Sequence, residues 1–216
     1  LLMMLFGSIW GNEPFPEENF GYIDAFTPAY IGIVILTAGI MNLTIGISTY
    51  REKGILKRFH AAPVSPAGFL AAQFLALLII SILGLLLLII AAVVIFGMHF
   101  RGSVLQAAIA FLLSCTGLAG LGFIPASIAK SSRSGTAIAN SLYFPMLFLS
   151  GAALPRNMLP ELLRNVSEVL PLTHSIRLMQ GIWLGDSILE YTTEMAVLAG
   201  FSLLGCFFAA KLFRWE

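Results

Sequence analysis

Charge is scarce in this sequence: Asp, Glu, Lys and Arg make up 11% of its 216 residues, against 58% hydrophobic residues and a mean hydropathy of +0.92. Soluble domains carry about 25% charged residues, so the chain reads as an integral membrane protein with no block left over for a separate soluble domain. The few charges also avoid the middle of the long apolar runs. That excludes the intramembrane carboxylate relays, gating-charge arrays and buried ion pairs of proton-driven antiporters and voltage sensors. Cys115 and Cys206 both fall inside apolar runs and point to no disulfide. His60, His99 and His174 are scattered among loops and run ends and offer no metal cluster. No glycine-rich phosphate loop, Ser/His/Asp set or carboxylate pair occurs in a loop large enough to build a site. The chain is therefore expected not to be an enzyme by itself, with no catalytic residue, metal ligand or cofactor of its own.

What is present is a series of charge-free stretches: Leu1 to Asn12, Ala25 to Tyr50, Ala61 to Met98, Gly102 to Ala129, Ser134 to Pro155 and Met195 to Ala210. A helix needs about 20 mostly apolar residues to cross the hydrocarbon core. The first stretch is too short and lacks a basic leader, so it reads as the tail of a helix whose start is missing. Leu212 and Phe213 extend the last, with Lys211 able to snorkel. The long third stretch is read as one tilted helix, because no turn cluster near Gly84 marks a hairpin. One crossing there puts Arg51, Lys53, Lys57, Arg58, Lys130, Arg133, Lys211 and Arg214 on one side, which the positive-inside rule makes cytoplasmic. Glu13, Glu17, Glu18 and Asp24 fall on the other side, as does the long segment from Arg156 to Glu194. The expected fold is an all-α integral membrane protein with about six transmembrane helices and both termini cytoplasmic.

The most charged stretch is "YREKGILKRFHAAPVSP", Tyr50 to Pro66. Ile55, Phe59 and Ala62 fall on one side of a helix with Leu56 beside them, and Lys53, Lys57 and His60 on another, predicting a short amphipathic helix at the membrane surface. Pro63 and Pro66 then end it and open the next span. Such a loop often only anchors topology. An apolar stripe is unnecessary for an anchor, however, and Glu52 opposes the positive-inside bias.

Arg51-Glu52-x-Gly54, an aliphatic pair, a short helix and Pro63-Val64-Ser65 resemble the cytoplasmic loop of ABC-2 type permeases, the membrane subunits of one class of ATP-binding-cassette exporters. Independently, Leu149-Ser150-Gly151, Pro155, Leu159-Pro160 and Leu170-Pro171-Leu172-Thr173 resemble that family's segment from the end of the fifth span toward the last. The resemblance covers essentially the whole chain. It implies a single transmembrane domain over 1–216, truncated at its N-terminus, with a coupling helix at 51–62 and a gate-like segment at 156–190. It further implies that Arg51, Glu52, Lys53, Gly54, Ile55, Leu56, Lys57 and Phe59 meet a separate nucleotide-binding ATPase subunit, which would hold ATP and Mg. A second permease copy and membrane lipid are the other implied partners, with no role for nucleic acid. The implied location is a bacterial or archaeal cytoplasmic membrane.

Met158, Leu162, Leu163, Val166, Val169 and Leu170 form an apolar stripe broken by Glu161, Arg164 and Glu168, as in helices lying in the interface or dipping into the bilayer. The physics leaves an interfacial rest and an outer gate equally open. The resemblance favours a gate formed by Ser150, Gly151, Pro155, Pro160, Pro171, Leu172 and Thr173. Asn165-Val166-Ser167 matches a glycosylation triplet, a pattern short enough to arise by chance. For a substrate path, Thr37, Met41, Thr44 and Ser48 share one face of the second span, with Asn42 nearby. Thr136, Asn140 and Tyr143 recur likewise in the fifth. Such stripes line a path or, more commonly, hydrogen-bond between packed helices. Gly117, Gly120 and Gly122 are expected to permit close helix approach, and Pro125 and Pro145 to kink their spans.

Two functions follow as expectations. The first is the permease of an ATP-driven exporter that moves drug, lipid or glycan by alternating access. The second is a membrane scaffold or passive pore whose basic loop sets topology or attracts anionic lipid.

Overall fold

The computed structural model describes residues 2–13, 20–61, 65–153 and 159–212, and helices dominate them. In order these are α1 (Leu2–Trp10), α2 (Tyr22–Leu36), a π-helical turn (Thr37–Asn42), α3 (Leu43–Glu52), α4 (Ile55–Ala61), α5 (Pro66–Phe96), α6 (Val104–Ile128), α7 (Ser132–Leu149), α8 (Glu161–Ser167), α9 (Pro171–Leu184), a 3-10 turn (Ile188–Tyr191) and α10 (Thr192–Leu212). From α2 through the π turn to α3 the chain is one helical rod, Tyr22–Glu52.

Among the described residues, four helical stretches are long and apolar enough to cross a membrane: Tyr22–Glu52, Pro66–Phe96, Val104–Ile128 and Ile188–Lys211. The 18-residue α7, with Arg133 in its first turn, and the nine-residue α1 lie outside that set. The third apolar stretch is a single helix, as the sequence predicts. Ser65 caps α5 by accepting from the Gly68 N–H at 3.1 Å, Pro66 occupies its first turn, and Gly97 ends it with φ 62°. Its 31 residues rise about 46 Å, more than the ~30 Å hydrocarbon core, so the helix tilts or extends into the interface.

Helix α6 lies at the centre, with the π turn and α3 on one side and α9 and α10 on the others. Glycine makes the closest contacts possible. A Cβ on Gly120 would overlap the Phe201 carbonyl and one on Gly205 would overlap Gly120, so α6 and α10 pack backbone to backbone, as small-residue interfaces do in lipid. On the opposite flank a Cβ on Gly122 would overlap the Gly39 carbonyl, which seats the π turn directly on α6.

Hydrogen bonds sort the helix ends onto two faces. The end of α3 meets the end of α6 and the start of α7, bringing Arg51, Lys53, Lys130 and Arg133 to one basic face. At the other face Asn12, Asp24 and His99 are bonded together, and Gln180 donates to the Ala25 carbonyl at 3.0 Å. This sorting requires a single crossing by α5, the arrangement that the charge pattern predicts.

Candidate functional site

At the basic face, two adjacent residues of opposite charge grip two helix ends. Arg51 closes α3 and is only 9% exposed; its Nη1 donates to the carbonyls of Ala126, at 3.1 Å, and Ala129 at the end of α6. Those carbonyls lack intrahelical donors and carry the negative end of the helix dipole, so a buried cation there satisfies both demands. Glu52 accepts from the Ser132 N–H at 2.7 Å, at the positive start of α7. Ser131 and Ser134 complete that start reciprocally, with Ser134 N–H donating to Ser131 Oγ at 3.2 Å and Ser131 N–H to Ser134 Oγ at 3.1 Å. The Arg51-Glu52 pair thus clamps the α6–α7 hairpin from both sides.

Immediately beyond the clamp the chain turns through Lys53 and Gly54. Gly54 has φ 69°, a left-handed conformation that glycine adopts without strain, and its N–H donates to the Arg51 carbonyl at 3.0 Å. The segment predicted as one helix over 51–62 is therefore divided: 51–52 finish α3, and α4 spans Ile55–Ala61. Leu56 is fully buried, and Ile55 and Phe59 line a cleft of about 340 Å³ against Phe69, Ala72 and Gln73 of α5. Lys53, Lys57 and Arg58 are exposed. Of the eight residues assigned to an ATPase interface, Arg51 and Leu56 face inward, Gly54 and Ile55 are half-buried, and Glu52, Lys53, Lys57 and Phe59 are exposed. The His60 side chain and Ala62 lie outside the described parts.

The two polar stripes meet. Thr37 donates to the Ile33 carbonyl at 2.8 Å and reaches the Tyr143 hydroxyl at 3.2 Å, joining the π turn to α7. Thr44 donates to the Gly122 carbonyl at 3.3 Å, and Ser48 packs against Gly135. Thr44 and Ser48 are thus buried in a helix-packing seam. Met41, Thr136, Asn140 and Tyr143 are half-buried beside it, and Asn42 is exposed. The sequence reading missed the π turn that carries Thr37, Met41 and Asn42. Such turns interrupt the regular ladder and often mark functional positions. Gly39, at its centre and against α6, was the only local signal.

At the opposite face the segment before the last span has two parts. Helix α8 exposes Leu162 and Val166, as an interfacial helix does, and Val169 just beyond its end is exposed too. Helix α9 does not rest on a surface. Leu172, Ile176, Leu178, Met179 and Ile182 are buried where it packs among α2, α6 and α10. Fourteen residues rise only about 21 Å, and a non-spanning helix at such depth must be covered by protein, as this one is. Glu168 ties the two parts together, accepting from Arg177 Nη1 at 2.7 Å and Nη2 at 2.5 Å while its carbonyl lies 2.7 Å from His174 Nε2. Among the assigned gate residues, Ser150, Gly151, Pro171, Leu172 and Thr173 are buried and Pro160 is exposed at the start of α8; Pro155 lies outside the described residues.

Asp24 is a further residue that sequence reasoning did not single out. It is 4% exposed, and its carboxylate accepts from the Asn12 side chain at 3.0 Å, the His99 N–H at 2.9 Å and the Gly21 N–H at 3.4 Å. It joins the end of α1, the start of α2 and the α5–α6 loop. Nothing near Asp24 in sequence announces partners on two other segments.

The chain thus has two distinct ends, a clamp and amphipathic helix on the basic face and a buried non-spanning helix on the other. The family model for ABC-2 type transporters matches residues 1–184, and the chain belongs to that family. Nodulation protein J of Rhizobium meliloti (strain 1021) is 32% identical over 105 residues, covering 48% of this chain and 40% of that protein. The "Inner membrane transport permease YhhJ" of Escherichia coli (strain K12) is 24% identical over 201 residues, 88% of this chain and 52% of its own. The "Probable multidrug ABC transporter permease YbhS" of the same strain is 20% identical over 180 residues, 83% of this chain and 46% of its own. The chain spans about half the length of these curated relatives or less.

Proposed function

We propose that this chain is permease machinery of an ATP-driven exporter in a bacterial or archaeal cytoplasmic membrane, with the basic face and both termini inside. A separate ATPase subunit, holding ATP and Mg, docks on Lys53, Lys57, Phe59 and the turn at Gly54. A second permease copy, identical or related, completes the pathway. The cargo is hydrophobic or amphipathic, in keeping with the uncharged flank of Met41, Asn42, Thr136 and Asn140. "Nodulation" and "probable multidrug" are words in the names of two relatives and apply to those proteins.

The observation that carries this reading is the Arg51-Glu52 clamp. A push on the exposed turn beside it is delivered to the ends of α3, α6 and α7 together, and not to a loose loop. Alternating access needs two states of similar free energy that a partner can bias, and a rigidly connected contact point is the means of biasing them. The test is to tag the chain in its native membrane, extract it gently and quantify any copurifying ATPase. Near-equal recovery of an ATPase that is lost in Glu52→Ala and Gly54→Pro variants, with insertion intact, is the expected result. A chain that emerges alone, or variants that export normally, would return the loop to a topological anchor and the protein to a scaffold or pore.

A further inference from the structure

On the face opposite the clamp, α5 and α6 diverge and leave an open cleft of about 490 Å³, floored by α9. Its walls are aliphatic or aromatic: Leu85 and Ile89 from α5, Ala107 and Phe111 from α6, Met179 and Trp183 from α9. The volume falls within the ~300–1,000 Å³ of ordinary ligand sites. One polar atom departs from this lining. Trp183 is 5% exposed, its ring meets Phe100 edge-on at 4.8 Å, and its buried indole N–H has no hydrogen-bond partner among the described residues.

The surroundings identify what enters. The outward face of α5 beside the cleft is Leu83, Leu87, Ile90 and Val94, all more than half exposed. Helices that meet one another in a membrane do so through small or polar residues. The glycines of α6 are already engaged, Gly120 against α10 and Gly122 against the π turn, and its Ala107 and Ala108 lie in the wall of the cleft itself. A face of bulky aliphatics without a small-residue groove is one that lipid covers, and an uncharged crevice opening onto it accepts hydrocarbon. We infer that this cleft is a binding site for one fatty-acyl chain of a membrane phospholipid in the leaflet at this face. The chain lies between α5 and α6 and braces α9 through Met179 and Trp183. The inference rests on the membrane-spanning reading of α5 and α6 and is independent of the ATPase partner.

The test uses Trp183 as reporter, in a chain with Trp10 and Trp215 replaced by Phe and reconstituted in phosphatidylcholine vesicles with a rising fraction of lipid brominated at mid-chain. Bromine quenches only at short range, so a tryptophan this buried is quenched only if a chain enters the cleft. Emission is expected to fall in proportion to the brominated fraction, as one exchanging site requires by mass action. Ala107→Phe, which fills the cleft, should abolish the quenching. Ala108→Leu, a milder filling, should reduce it if Ala107→Phe does not fold. A companion variant keeping only Trp10, which is 56% exposed, serves as positive control. Unquenched Trp183 alongside quenched Trp10 overturns the inference, as does quenching that survives both fillings. Disulfide cross-linking between cysteines placed at Val94 in two copies, with Trp183 unquenched, would assign the face to a second copy and equally overturn it.

Discussion

Replacing Arg51 by Ala should loosen the α6–α7 hairpin specifically. The side chain is nearly buried and its guanidinium serves two carbonyls, those of Ala126 and Ala129. A hydrogen bond involving a charged group is worth about 1.5–3 kcal/mol net, and a cation at a helix C-terminus adds ~0.3–1 kcal/mol. Water can enter at this end of the bundle and recover part of that sum, so about 2 kcal/mol of local stability is the expected loss. At ~1.4 kcal/mol per tenfold, the opening equilibrium of the hairpin rises roughly 30-fold. Native-state amide exchange in nanodiscs reads this directly at residues 127–133, with α10 amides as internal reference. Glu52→Gln should change the same amides much less, because its carboxylate is exposed, the amide oxygen still accepts from Ser132, and only the charge–dipole contribution of ~0.3–1 kcal/mol is removed. Equal protection in Arg51→Ala and the unmodified protein would refute the clamp as a mechanical connection.

Two other substitutions probe the packing. Gly122→Ala places a methyl group into the Gly39 carbonyl, and overpacking of this kind costs about 1–3 kcal/mol; a lowered thermal midpoint in detergent and altered reactivity of a cysteine at position 42 should accompany it. Asp24→Ala leaves the Gly21 and His99 N–H groups without their acceptor and the Asn12 amide with the longer contact to the Gly97 carbonyl at 3.5 Å, at about 1–3 kcal/mol for each lost bond that water does not replace, so protease susceptibility of the 97–103 loop should rise, and an unchanged cleavage pattern would contradict the hub.

Much of the architecture was legible because a bilayer allows few solutions. The continuity of α5 followed from the lack of turn residues between Pro66 and Phe96, and the sorting of helix ends followed from where Lys and Arg fall. Helix α4 was legible as an amphipathic segment, although Gly54 divides it from Arg51 and Glu52. The candidate site was legible in residue type and hidden in partner. Arg51 reads as one cation among four in its loop, and its acceptors lie 75 and 78 residues away.

Sequence by itself determined the solvent of this protein, its faces and its family, because hydropathy, charge placement and ordered motifs are local properties that the membrane and the homologous fold constrain strongly. Only the tertiary structure decided which polar residues work together. Helix α9 carries Thr173, His174, Ser175, Arg177 and Gln180, the composition of a surface helix, yet it is buried because α2, α6 and α10 leave a space of its length and shape. Thr44 and Ser48 became packing groups, Arg51 became a clamp, and Trp183 became the floor of a cleft for the same reason. Each outcome depends on which backbone arrives opposite, and that is set by helix register across contacts as close as Gly39 on Gly122.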